Sequence, residues 1–170
     1  MTTAVQWKGN DEWVSLMAKE LISEITESMA NILLRDGKIS EQELEQKKLV
    51  GISAAIGGDY PMTLRFFSER RFIYRLTKNM MASEPTKEDM QDYAIEYFNT
   101  ICGRFVSELI NQMHIKAHLM PIRYEEAFDP ASEENGQTQA LCLISDADEY
   151  TLFSWTEEAI REMIKRSNTK

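Results

Sequence analysis

The chain has 170 residues, of which 43% are hydrophobic and 28% are charged, so we expect one globular domain over residues 1–170 and not a disordered chain. Its 28 acids outnumber its 19 bases, which gives a formal net charge of −9. This balance argues against binding to nucleic acid or to a membrane surface, because phosphate contacts need clustered Lys and Arg. The N-terminal residues contain no apolar signal segment, and no apolar run approaches the roughly 18 residues of a membrane span. A cytoplasmic protein is therefore expected.

The few cysteines and histidines give no support for a metal centre. Cys102 and Cys142 are far apart and lack a CxxC spacing, so neither a disulfide scaffold nor a structural zinc site is predicted. His114 and His118 are four residues apart, but no HExxH glutamate lies between them and the segment becomes strand-like. We predict no metal site and no cofactor of the chain's own.

The first predicted element is a helix. Apolar residues recur at helical spacing from about Asn10 to Leu34. Asn10 or Asp11 can cap its start, and Gly37 follows its end. A polar linker at 38–48 then leads into the next element.

A β-hairpin is predicted after this linker. The segment 49–56 is β-like, with apolar side chains among small residues, and Gly57-Gly58-Asp59 is a turn signal. Residues 62–66 alternate between apolar and polar, as in a half-buried strand.

Two helices are predicted next. The first covers about Glu69–Met81, with Ser68 as its N-cap. Thr86 and Asp89 have the spacing of a capping signature and begin a long helix that continues to about Met113. At about 1.5 Å per residue this helix would be roughly 40 Å long.

The C-terminal part is predicted to be mostly strand. Its elements, in chain order, are a strand region at 115–124, an acidic loop insertion or extended hairpin tip at 125–139, strands at 140–144 and 150–155 around a turn at 146–148, and a short last helix capped by Thr156.

The order of the predicted elements is α-β-β-α-α-β-β-β-α. Strands that come in hairpins, and do not alternate singly with helices, favour an antiparallel sheet over a doubly wound one. We therefore predict an α+β fold, with a mainly antiparallel sheet covered by long helices.

The long helix carries a stripe of polar and small residues. Asp92, Glu96, Asn99 and Gly103 are spaced by four, three and four, so they lie along one side of the helix. The Cβ atoms of Glu96 and Asn99 should be about 5–6 Å apart. Asparagine and glycine are poor helix formers, which suggests that something docks closely here. Spacing alone also fits a solvated face with a chance glycine.

These residues resemble a known signature. Asp92-x-x-x-Glu96-x-x-Asn99 on a long helix, preceded by a hairpin with a Gly-Asp turn and followed by Gly103, is similar to the CheC/CheX/FliY family of chemotaxis phosphatases, and to its single-copy CheX branch in particular. The two-site branch carries a second signature on the first helix.

The first helix of this chain departs from that second signature. Ala30, not Asn, follows Glu27 by three positions, and Asn31 is out of step. Only one site is therefore expected.

The resemblance implies a function. The chain would hydrolyse the aspartyl phosphate of a CheY-type response regulator, with Mg²⁺ held by that regulator. Asn99 would be catalytic and hold the attacking water. Glu96 would take part in catalysis and pair with a partner lysine. Asp92 would lie at the edge of the contact, and Gly103 would allow the partner's backbone to approach. The family resemblance also implies a homodimer.

Two other functions stay open at this stage. The same fold could serve as a non-catalytic module that docks on a receiver domain. An acid/base hydrolase using Asp92 and Glu96 would instead need a cleft for a small molecule.

Overall fold

The computed structural model describes residues 12–128 and 138–168. Five helices and seven strands follow one another in this described part of the chain. They are α1 (Glu12–Ala30), β1 (Leu34–Asp36), α2 (Glu41–Gln46), β2 (Leu49–Gly58), β3 (Met62–Glu69), α3 (Arg70–Met81), α4 (Lys87–Met113), β4 (Ala117–Leu119), β5 (Arg123–Phe128), β6 (Thr138–Ser145), β7 (Tyr150–Thr156) and α5 (Glu157–Asn168).

The seven strands form one antiparallel sheet. Its order is β1-β6-β7-β3-β2-β4, and β5 also pairs with β2. The predicted hairpin is confirmed, because β2 and β3 pair from Leu49 opposite Glu69 to Ile56 opposite Met62. The predicted fold class is confirmed as well: a mixed α/β fold with an antiparallel sheet and helices.

The two faces of the sheet differ in what covers them. One face contributes Ile52, Phe66 and Phe153 to a large core cluster that also contains buried residues of α1, α3, α4 and α5. The other face carries a small cluster of Leu49, Phe67 and Leu152, against which Leu44 and other partly buried residues pack. The strand alternation thus places the main core between the sheet and these four helices.

The first helix is shorter than predicted. It ends at Ala30, and Asn31 has a left-handed φ of 54°. Leu34 begins β1, where it pairs with Ser145 of β6. The apolar residues that extended the helical pattern belong to this strand and its approach, so the prediction to Leu34 was wrong by four residues. The proposed cap residues, 10–11, lie outside the described residues.

Two local predictions in the next segments were also wrong. The polar linker contains the short helix α2, whose N-cap Ser40 accepts a hydrogen bond from the backbone N–H of Glu43 at 3.1 Å. Ser68 does not cap α3, because it is a buried residue of β3 whose hydroxyl donates to the Glu69 carbonyl. Glu69 is the N-cap, without a side-chain capping bond.

The region 115–139 differs from its prediction. It contains two strands, β4 and β5, which both pair with β2 and are separated at Pro121. Residues 125–128 belong to β5, so this part is not a loop insertion. Among the described residues β5 pairs with β2, and β6 pairs with β1 and β7, so these two strands do not form the proposed hairpin there. Residues 129–137 lie outside the described part.

The second predicted hairpin, β6–β7, is confirmed and is held by a buried charge. Glu149 is 3% exposed and accepts a hydrogen bond at 2.7 Å from Arg75 of α3 and one at 2.7 Å from the Ser145 hydroxyl. Arg75 also pairs with Asp146 at 2.7 Å. This network joins the turn to α3. The Thr156 hydroxyl, proposed as a helix cap, accepts from the backbone N–H of Thr63.

None of the helices in the described ranges is long and apolar enough to cross a lipid bilayer.

Candidate functional site

Helix α4 carries the predicted site, and both its ends are defined by local chemistry. At its start the Thr86 hydroxyl accepts from the Asp89 N–H at 3.1 Å, while the Asp89 carboxylate accepts from the Thr86 N–H at 2.9 Å. This capping box confirms the predicted start. At its end, His114 adopts a left-handed φ of 55°. The helix has 27 residues, so it is about 40 Å long.

A buried aromatic face fixes the rotation of α4. Tyr97, Phe98 and Phe105 are fully buried, and the Tyr97 ring lies 5.6 Å from that of Phe66 on β3. The Tyr97 and Thr26 hydroxyl oxygens are 2.6 Å apart.

Which of the two hydroxyls donates this hydrogen bond follows from the number of protons available. The single hydroxyl proton of Thr26 goes to the Ile22 carbonyl at 2.6 Å, so Tyr97 donates to Thr26. Burial raises the pKa of Tyr97. A neutral hydroxyl with a fixed partner therefore anchors α4 to α1.

The predicted stripe is brought to the surface by this rotation. Asp92, Glu96, Asn99 and Gly103 are all exposed, and we call these four residues the ridge. Within residues 12–128 and 138–168, the side chains of Asp92, Glu96 and Asn99 make no hydrogen bond or ion pair. An acid and an amide on adjacent turns are thus both available to a visiting protein.

Gly103 is not required by the fold of this chain. A Cβ atom added there would meet nothing within 4 Å, and the residue has an ordinary helical conformation. Glycine in an exposed helix interior lowers stability by about 1 kcal/mol relative to alanine. Packing within the described part of the chain therefore does not account for a glycine at this point of the ridge.

The N-terminal end of α4 is linked to the sheet by ion pairs with Glu126, a residue of the predicted acidic loop. Glu126 of β5 pairs with Lys87 at 3.4 Å and also binds Arg70. The hydrogen bond from Arg70 holds the pKa of Glu126 below its usual value. Residues 123–128 read RYEEAF and do not alternate strictly, so the sequence carried no clear strand signal at this position.

Helix α1 does not present a second ridge. Glu27 is exposed on the helix, but Asn31 lies beyond its end in the left-handed conformation. Their side chains therefore do not stack along one helical face, as Glu96 and Asn99 do.

The remaining candidate residues are not grouped into a site. His114 is the C-cap of α4, and His118 is exposed on β4. Burial raises the pKa of the Cys102 thiol, which argues against a reactive thiolate. In the part of the chain that the structure describes, no three or more His, Cys, Asp or Glu side chains are grouped so as to hold a metal ion.

Comparison with solved structures shows the fold. The chemotaxis protein CheX from Vibrio vulnificus has a TM-score of 0.69 at 12% identity, and the match covers 83% of this chain and 93% of that one. CheX from Desulfovibrio desulfuricans has a TM-score of 0.69 at 15% identity, covering 84% and 97%. A complex of CheX, CheY, BeF₃ and Mg²⁺ from Borrelia burgdorferi has a TM-score of 0.66 at 15% identity, covering 83% and 95%.

Comparison of sequences identifies the family. No curated protein matches the chain. A family model described as "Chemotaxis phosphatase CheX" matches residues 50–140, which is more than half of the chain and includes the β2–β3 hairpin except its first residue, α4 and the whole ridge. The chain belongs to the CheX family of chemotaxis phosphatases.

Proposed function

We propose that this protein hydrolyses the aspartyl phosphate of a CheY-type response regulator. The observation that carries the proposal is the ridge, where Glu96 and Asn99 are exposed, adjacent and without partners among the described residues. The family membership supports phosphatase chemistry, and the Borrelia burgdorferi complex supports a CheY-type partner. Mg²⁺ would be held by that partner.

Asn99 is the group proposed to act on the reacting atoms. Hydrolysis of an acyl phosphate needs a water in line with the leaving oxygen, and positioning supplies most of the rate. A carboxamide both donates and accepts hydrogen bonds, so Asn99 can hold that water beside the phosphoryl group. A carboxylate in the same place would be repelled by the phosphoryl oxygens.

Glu96 is proposed to fix the orientation of the docked partner. It lies one turn before Asn99 on the same face, and its carboxylate is exposed and unpaired within the described ranges. An ion pair with a partner lysine would fix the position of Asn99 in the phosphorylated pocket. Asp92, one turn further toward the N-terminus, would lie at the edge of the contact.

The Glu96→Ala variant is expected to weaken both docking and turnover. Removing one side of a charge pair at an interface raises the dissociation constant roughly 10-fold or more, and misplacement of Asn99 then lowers kcat as well. The dissociation constant is measured with a receiver loaded with beryllofluoride and Mg²⁺. The control is Glu45→Ala, another exposed acid, on α2. An affinity unchanged by Glu96→Ala would contradict the pairing role.

The Gly103→Ala variant is expected to separate stability from function. The free energy of unfolding should rise by about 0.5–1 kcal/mol, because the added methyl group meets nothing within the chain. The affinity for the loaded receiver should fall at the same time, because the methyl group occupies space that the partner's backbone needs. Urea unfolding and binding isotherms measure the two effects. A more stable variant with unaltered affinity would remove Gly103 from the interface.

The rival function, a docking module without catalysis, predicts a different outcome in one assay. Phosphate release from a phosphorylated receiver would then proceed at the receiver's own rate when this protein is added. Catalysis predicts acceleration that depends on Asn99.

We also propose that residues 1–170 form one CheX-like domain that acts in the cytoplasm. The family resemblance implies in addition that this domain forms a homodimer. The sheet ends at β1 on one side and at β4 and β5 on the other, so strand edges are available for pairing. Sedimentation analysis reads out the oligomeric state.

A further inference from the structure

The immediate neighbours of Asn99 follow from the geometry of α4. Residues three and four positions apart on a helix are neighbours on its surface, with Cβ atoms about 5–6 Å apart. For Asn99 these neighbours are Ile95, Glu96, Cys102 and Gly103. Glu96 and Gly103 belong to the ridge, and Cys102 is buried. Ile95 is therefore the neighbour of the proposed catalytic group that has no assigned role.

Ile95 borders the ridge directly. A separation of four positions rotates a side chain by roughly 40° about the helix axis, so Ile95 and Asn99 leave α4 in similar directions. Ile95 also lies on the side of the ridge away from Tyr97, the residue that anchors α4 to α1. A partner that approaches Asn99 along the direction of its side chain therefore meets Ile95 as well.

The exposure of Ile95 sets it apart from the other apolar residues around it. Every other apolar side chain of α4 from Ala94 to Leu109 is buried, whereas Ile95 is only half-buried. Among the described residues, the partly exposed apolar side chains that pack against the two core clusters do not include Ile95. A β-branched side chain also lowers helix propensity. The core clusters and helix propensity therefore do not account for an isoleucine at this position.

The proposed chemistry brings a partner against this side chain. The Asn99 side chain is short, so its amide can enter a pocket only if the helix surface around it touches the rim of that pocket. On one side of Asn99 that surface is Glu96 and Gly103, and on the other side it is Ile95. Contacts that surround a central polar contact exclude water from it, and electrostatic interactions are stronger where water is excluded.

We propose, on the basis of the proposed function, that Ile95 is a docking contact that packs against an apolar side chain of the CheY-type partner at the rim of its phosphorylated pocket. A receiver with a charged side chain at that place would have to bury the charge without a partner, and it would bind less tightly. Ile95 thus helps to select the receiver, and Asn99 performs the chemistry. Substitution of Ile95 should change affinity and leave the rate of the bound complex unchanged.

The test compares Ile95→Val, Ile95→Ala and Ile95→Gln in the full chain. The probe is a CheY-type receiver loaded with beryllofluoride and Mg²⁺. Ile95→Val, which loses one methylene group, is expected to raise the dissociation constant about two- to fourfold. Ile95→Ala is expected to raise it about 5- to 20-fold. Ile95→Gln should raise it at least as much as Ile95→Ala, because glutamine keeps the length of the side chain but places a polar group in the contact.

The matched control is Ile39→Ala. Ile39 is also a half-buried isoleucine, but it packs against the small cluster on the other face of the sheet. Its loss should leave the dissociation constant unchanged. Urea unfolding of each variant establishes that the chain is folded under the conditions of the binding assay.

Turnover at a saturating concentration of phosphorylated receiver should equal that of the unmodified chain for all three Ile95 variants. Affinities of Ile95→Ala and Ile95→Gln within about twofold of the control would overturn the proposed contact, as would a lower kcat at unchanged affinity. Turnover by Asn99→Ala equal to that of the unmodified chain would instead refute the catalytic role and leave Ile95 to be judged by binding. An unmodified chain that does not bind the loaded receiver would overturn both proposals.

Discussion

Replacing Asn99 with alanine is expected to slow phosphate release from a phosphorylated CheY-type receiver by at least about 100-fold, while the receiver still binds with an affinity within about threefold. The size follows from the value of a preorganised hydrogen-bonding group in a transition state, which is commonly 10²–10³ in rate. Binding is preserved because Glu96, Asp92 and Gly103 remain on the ridge. Stopped-flow measurement of receiver dephosphorylation gives the rate, and a beryllofluoride-loaded receiver gives the affinity.

The matched control for this variant is Asn111→Ala. Asn111 is exposed on the same helix, three turns further along, and its side chain has no partner within the described ranges. Its loss should leave both rate and affinity unchanged. Turnover by Asn99→Ala that equals the rate of the unmodified chain would remove the catalytic assignment, and the docking-module function would then stand.

The second prediction with a large expected effect concerns the stability of the folded protein. Glu149→Gln is expected to lower the free energy of unfolding by about 2–3 kcal/mol, since it removes the negative charge that a buried pair needs and keeps the shape of the side chain. Glu149 is 3% exposed and accepts from both Arg75 and Ser145. For a chain of this length the loss corresponds to a fall in Tm of roughly 4–12 °C. Urea unfolding measures the free energy directly.

Asp148→Asn is the matched control, because it removes a charge from the same turn in the same way. The Asp148 side chain is 82% exposed in its pair with Arg35, and asparagine also tolerates the positive φ of 58° found there. Its loss should change the free energy of unfolding by less than about 1 kcal/mol. Equal effects of the two substitutions would show that burial of Glu149 contributes nothing.

Much of the site was predictable because it lies within one helix. The spacing of Asp92, Glu96, Asn99 and Gly103 determines that they share a face, and the Thr86–Asp89 pair marks where that helix begins. The two hairpins were predictable for the same reason, since their turns and strands are close in sequence.

The errors occurred where the structure depends on a distant partner. The local pattern predicts that Leu34 is helical, but in the structure it belongs to a strand that pairs with β6. Serine is a common helix cap, but Ser68 pairs with Thr151 of β7 and therefore belongs to β3. The sequence predicts an acidic loop around Glu126. In the structure its strand, β5, pairs with β2, and its side chain binds Arg70 and Lys87.

The sequence by itself determined which residues form the ridge, because helical periodicity is a local property and needs no knowledge of the rest of the chain. Only the tertiary structure decided that this row of residues faces solvent, because that depends on how Tyr97 and Phe98 pack against α1 and the sheet. The buried Glu149 network was decided in the same way. It joins residues more than 70 positions apart, whose proximity arises from burial of the shared core and leaves no periodic signal in the sequence.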